Sequence, residues 1–124
     1  MKKFLIICIS IVTVIVVSDV LLQKYLFNDF EYMISIFSDI DVEENRDVQL
    51  KKIEELENHW KNKYLLMAFY IDHGELEKIR NQIVVIKAGI EKDDVPFVHE
   101  ETKRSIYIIE HIEEKITLKF DNIL

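Results

Sequence analysis

An all-α chain, with an N-terminal transmembrane or signal-anchor helix followed by a small antiparallel bundle of three to four helices, is the fold that three features of this sequence predict. A lysine pair, Lys2 and Lys3, precedes an Ile/Val-rich run from Phe4 to Val17 that only Ser10 and Thr13 interrupt. Beyond it, apolar residues recur at three- and four-residue spacing, the period of a helix with one buried face. Only two glycines, Gly74 and Gly89, and one proline, Pro96, occur in 124 residues, which leaves little turn chemistry for β-hairpins.

The apolar run is membrane-directing. At about 1.5 Å per helical residue, Phe4 to Val17 covers roughly 21 Å, short of the roughly 30 Å hydrocarbon core. Continuing through Ser18, Asp19, Val20, Leu21 and Leu22 to Lys24 gives a spanning length, with Asp19 near the far interface where water reaches it. The alternative is a cleaved signal peptide, with Val16-Val17-Ser18 as the small-residue site before Asp19. An Ala-x-Ala motif and a polar c-region are both missing there, so the uncleaved anchor is the better expectation. Lys2 and Lys3 keep the short N-terminus cytoplasmic and place the remainder outside the cell membrane. The expected division is therefore an anchor over residues 1–27 and an extracytoplasmic helical domain over 28–124.

Four apolar stripes account for that domain. The anchor helix is expected to continue outward with Phe30, Met33, Ile34 and Phe37 on one face, stopping near Asp39 to Asp41. The acidic cluster Asp41, Glu43, Glu44 reads as the start of the next helix, whose stripe is Leu50, Ile53, Leu56 and Trp60. A third stripe begins at Leu65 and Phe69, meets Asp72, and continues through Leu76, Ile79, Ile83, Ile86 and Ile90. Asp72 interrupts it, and Gly74 weakens a continuous helix by about 1 kcal/mol, so a break is expected with Asp72 as N-cap and Glu75 closing a capping box. A continuous helix with Asp72 held by a buried partner is the other solution. Pro96 suits the first turn of the last helix, capped by Asp94 or Asp93, with Ile106, Ile109, Ile112, Ile116 and Phe120 on its inner face.

From Asn28 to Leu124 the chain has 13 Lys plus Arg against 22 Asp plus Glu, a net charge of −9. Such a domain repels phosphate backbones and anionic lipid, which argues against nucleic-acid binding. The sole cysteine, Cys8, lies in the apolar run, so no disulfide and no Cys-based metal site is available to the domain.

No HExxH, Gly-rich phosphate loop, GxSxG or Cys/His nucleophile pattern is present, so an enzyme is not expected and no cofactor is implied. His59, His73, His99 and His111 have carboxylates at helical spacing, with Glu55, Glu77 and Glu114 beside three of them. A metal site needs three or four such ligands converging from facing helices, which spacing alone does not establish. Trp60 is expected as a core anchor, Asp72 as a cap, and His73 as a partly buried, hydrogen-bonded ring.

Trp60, the run Asp72-His73-Gly74-Glu75 and the terminal Asn122-Ile123-Leu124, behind a Lys-Lys-led anchor, resemble an uncharacterised family, a domain of unknown function. It comprises small membrane-anchored helical proteins from Gram-positive spore-forming bacteria. The resemblance spans nearly the whole chain and assigns no activity or catalytic residue to Trp60, His73 or Glu75. Members are sometimes encoded near multi-spanning membrane proteins, which implies an accessory role.

The leading expectation is thus an interaction or accessory module held at the outer membrane face that binds another membrane or envelope protein. Anchoring raises the effective local concentration of such a partner. The alternative is a small-ligand or metal sensor using the His/carboxylate groups or a Trp60 pocket.

Overall fold

The computed structural model describes residues 1–123, with side chains described through Leu118. The inner-face expectation for Phe120 and the terminal Asn122-Ile123-Leu124 motif lie outside the described side chains. Four helices follow one another: α1 (Lys2–Val42), α2 (Arg46–Ala68), α3 (His73–Glu91) and α4 (Val95–Ile123). Each packs on its two neighbours in a closed ring, α1 on α2 and α4, and α3 on α2 and α4. The connections are three or four residues long, which is what antiparallel neighbours need. Cross-helix pairs confirm the direction: as α1 is followed back from Asp39 through Tyr32 and Asp29 to Tyr25, the α2 partners advance from Lys52 through Glu55 and His59 to Lys63. The all-α bundle expected from the stripes is the observed one.

Helix α1 is continuous over 41 residues, without a hinge between its apolar start and its packed end. Its most apolar stretch has a mean hydropathy of 2.9, is long and apolar enough to cross a membrane, and buries none of its residues against the rest of the chain. Ser10 and Thr13 return their hydroxyls to the carbonyls of Ile6 and Ile9, so neither leaves an unpaired polar group on that surface. From Leu26 onward one face is buried, through Phe30, Met33, Ile36, Phe37 and Ile40. The core continues with Ile53, Leu56, Trp60 and Met67 of α2, the whole Leu76-to-Ile90 stripe of α3, and Val98, Ile109, Ile112 and Ile116 of α4.

Local chemistry sets the ends. Helix α2 starts later than the acidic cluster, because Asn45 is the N-cap and its side-chain oxygen accepts from the amides of Asp47 and Val48. Asp41 instead stays on α1, where its carboxylate meets His99 Nδ1 of α4 at 2.5 Å. Helix α3 closes with Asp94 N–H on Gly89 C=O and Asp93 N–H on Ile90 C=O, the Schellman pattern, with Asp93 in the left-handed region at φ 57°. Arg46 adds its guanidinium to the carbonyls of Ile90 and Glu91, reinforcing the closure at the first and satisfying the second, which the helix itself leaves open. Asp94 then caps α4 by accepting from Phe97 N–H. Gly89 is needed at this corner, since a Cβ there would meet Phe97 Cδ1 at 2.8 Å.

One stripe departs from expectation. The chain does break before Asp72, but Leu65 and Phe69 are 77% and 84% exposed instead of buried. The inner face of α2 runs Trp60, Tyr64, Met67 and on to Ile71 in the turn, so residues 65 and 69 point the other way. The break resets the helical phase, and α3 starts its own stripe at Leu76.

Candidate functional site

Helices α2 and α3 leave a groove of about 580 Å³ between them, lined by Glu57, Trp60, Lys61, Tyr64, His73, Glu77, Arg80, Ile83 and Val84. Trp60 is its floor. The indole is only 5% exposed and meets the Tyr64 ring edge-on at 5.8 Å, an arrangement favoured by the ring quadrupoles, so it belongs to the core as expected. Tyr64 carries the polar end, with its hydroxyl 3.2 Å from His73 Nδ1.

His73 opens α3 and is exposed, not partly buried; it leans across the groove mouth instead of into the core. Its Nε2 faces Glu77 at 3.7 Å, one turn on, and Glu77 faces Arg80 at 3.7 Å. On α3 the residues His73, Glu77, Arg80 and Val84 form a second stripe beside the apolar one, at the same helical spacing. That stripe was the signal that the sequence carried for Arg80 and Glu77. Pairing it with α2 required knowing which helix faces it.

Asp72 and Glu75 take other roles. Asp72 occupies the N-cap position, and its backbone carbonyl accepts from Glu75 and Leu76, but its side chain makes no capping bond. The capping box is absent because Glu75 turns to α4. There the Lys115 ammonium at 3.0 Å, joined by Lys78 at 3.4 Å, holds the Glu75 carboxyl below its usual range. Glu75 therefore ties the α2–α3 turn to α4, away from the groove. Of the four singled-out residues, Trp60 and His73 converge on one groove, while Asp72 and Glu75 line a small pocket with Tyr70, Ile112 and Lys115.

The other histidines do not join them. Among the described residues no three His, Cys, Asp or Glu side chains converge as a metal site. His59 lies against α1, its ring 4.5 Å from Tyr32, while Glu55, its expected partner at helical spacing, accepts from the Tyr32 hydroxyl at 2.7 Å. Asp29, buried on α1, is the carboxylate that faces His59, at 3.5 Å. Neither His59 Nε2 nor Asp29 Oδ2 has a hydrogen-bond partner among the described residues. Burial holds the His59 imidazole below its ordinary value despite Asp29, so the ring stays neutral. His111 lies parallel to Tyr107 at 6.3 Å on α4.

On α4, burial above all, with Glu31 and Glu110 adding repulsion, pushes the Glu113 carboxyl up to about 7. A raised carboxyl favours the protonated folded state, so stability is lost as pH rises from the unfolded value near 4.5 through 7. One pKa unit corresponds to about 1.4 kcal/mol, and partial exposure reduces the gain recoverable by Glu113→Gln to about 1–2 kcal/mol. The substitution is expected to raise the denaturation midpoint at pH 8 and leave it unchanged at pH 4. Equal effects at the two pH values would show that the carboxyl titrates normally.

The groove has a hydrophobic floor and a rim of alternating charge, which suits recognition of an amphipathic segment or small molecule. No curated protein and no solved structure matched the chain. A family model does match, over residues 20–123, and by it the chain belongs to the family described as Domain of unknown function (DUF4363).

Proposed function

We propose that the protein is a membrane-anchored accessory module whose extracytoplasmic bundle binds another membrane or envelope protein. The observation that carries this reading is the continuity of α1, in which an apolar, unpacked first half runs into the bundle core without a linker. A rigid connection couples the bundle to the orientation of the span, which serves a protein that must meet a partner in the same bilayer. The Lys2/Lys3 pair orients that span with the N-terminus inside. The bundle's net charge of −9 favours a partner with basic outward loops and adds an electrostatic, salt-sensitive component to the contact.

The test is crosslinking in native membranes followed by tag capture in mild detergent over a range of salt. One discrete protein, captured by the wild type at low salt and progressively released as salt rises, is the expected result. A chain that runs alone at every salt concentration, crosslinked or not, would overturn the interaction reading. Protease added outside spheroplasts should digest the bundle, and a mature chain starting at Asp19 in the medium would replace the anchor by a cleaved signal.

A second reading is favoured by the groove itself. Its volume of about 580 Å³ and its Trp60 floor with Tyr64, His73, Glu77 and Arg80 at the rim match the size and make-up of a small-molecule site. As a sensor it would bind a compact ligand with an apolar body and a charged end. Quenching or shift of the single tryptophan's fluorescence on ligand screening would support it over the accessory role.

A further inference from the structure

We propose that the α2–α3 turn is a lipid-contacting tip, with Leu65 and Phe69 inserted into the outer interface of the bilayer beside α1. The inference rests on the anchor reading above and adds a second point at which the bundle touches the membrane. Its starting point is an exposure that soluble packing does not explain. Leu65 and Phe69 sit one turn apart on one face, 77% and 84% exposed, while Met67 and Ile71 between and beyond them are buried.

Register places that face against the lipid. Lys63 Nζ of α2 contacts the Tyr25 hydroxyl of α1 and lies 4.3 Å from the centre of its ring, which fixes the two helices at that height. Helix α2 runs onward from there in the direction of α1's apolar start. Leu65 lies about 3 Å and Phe69 about 9 Å further along the axis at 1.5 Å per residue. They are therefore abreast of Asp19 to Gln23, at the outer end of the spanning stretch. A bilayer that covers Phe4 to Val17 and admits Asp19 at its headgroups has its interface at this height.

The neighbours fit that level. Tyr25 is 45% exposed and has the amphipathic ring that collects at membrane interfaces. Lys24 and Lys61 are exposed on either side and have stems long enough to reach the headgroups. An interfacial segment buries its apolar face about 5–10 Å deep, which matches the roughly 9 Å overhang of Phe69 past the Tyr25–Lys63 pair, with Leu65 at the shallow edge. The acidic body farther out is repelled by anionic headgroups. Two contacts, span and tip, would fix the rotation of the bundle about the membrane normal and so the direction in which its groove faces.

The experiment uses the full chain with Cys8→Ser and a single new cysteine carrying an environment-sensitive NBD label, reconstituted in phosphatidylcholine/phosphatidylglycerol vesicles. Labels at Phe69→Cys, Ile11→Cys and Asp47→Cys report tip, span and far end. Blue-shifted emission quenched by nitroxide lipid at 69 and 11, with water-like emission at 47, is the expected result. Quenching at 11 with water-like emission at 69 would overturn the tip and leave the anchor standing. A label at 69 that is blue-shifted yet unquenched by nitroxide lipid would mean that protein, such as a second copy, covers the turn, and would also overturn it. Loss of quenching at both positions would remove the anchor and the tip together. Leu65→Asp, at an exposed site where helicity is retained, is expected to reduce quenching at 69, and undiminished quenching would remove Leu65 from the contact.

Discussion

Replacing Trp60 by alanine is expected to destabilise the folded chain by about 3–5 kcal/mol, the range for removing a buried aromatic side chain. The indole is 5% exposed, packs within the cluster that includes Ile53, Leu56, Met67 and Ile83, and supports the Tyr64 ring. Its removal would forfeit apolar burial and leave a void that opens toward the groove, where Tyr64 has room to sag. Partial collapse of that kind places the loss nearer the lower end of the range. The measurement is denaturant unfolding of the full chain in mild detergent, followed by far-UV circular dichroism because the variant has no tryptophan signal. An unchanged midpoint would take Trp60 out of the core and strengthen the ligand reading. Trp60→Phe, which keeps a ring in the core, should recover much of the loss.

The core was legible because its signal is local and redundant. Ile79, Ile83, Ile86 and Ile90 repeat at three and four residues, and each falls in the core, as Ile109, Ile112 and Ile116 do on the facing helix. The α2–α3 break was legible too, since Asp72 and Gly74 both oppose a continuous helix. Leu65 and Phe69 show where the same logic fails: their spacing phases them with α3 across the break, whereas α2's own phase carries them outward. Periodicity within one helix says which residues share a face but not what that face meets.

The candidate site shows the same boundary between local and distant information. Trp60 and His73 stood out singly, but the groove that joins them exists only because α2 and α3 pack antiparallel through a four-residue turn. Glu75 looked like the closing half of a capping box, and at three residues from Asp72 it has the right spacing. Lys115, forty residues away on α4, claims it instead. Likewise Glu55 is the neighbour of His59 in spacing, and Asp29 is its neighbour in space. Sequence separation hid each of these partners, because charged side chains on a helix surface choose among every oppositely charged group the bundle brings near.

Gln82→Leu is expected to cost about 2–4 kcal/mol, more than its own modest size implies, because of what it would strand. Gln82 is buried on α3, and its amide nitrogen is within 3.0 Å of Glu101 Oε2 and 3.1 Å of Ser105 Oγ on α4. Glu101 is itself only 7% exposed, with Arg104 at 3.9 Å as its other nearby cation. Leucine would fill the space but leave a buried carboxylate without its donor, and an unsatisfied buried charged group costs more than the hydrogen bond contributes when made. Ser105 would be spared, since its hydroxyl also donates to the Glu101 carbonyl at 2.7 Å. The distinguishing prediction is therefore the double variant: Gln82→Leu with Glu101→Leu removes both polar partners and should be more stable than Gln82→Leu alone. Chemical denaturation of the wild type, both single variants and the double variant at pH 7 closes the cycle. If the double variant loses the sum of the two single losses, the amide and carboxylate act independently, and the α3–α4 interface is held by its isoleucines alone.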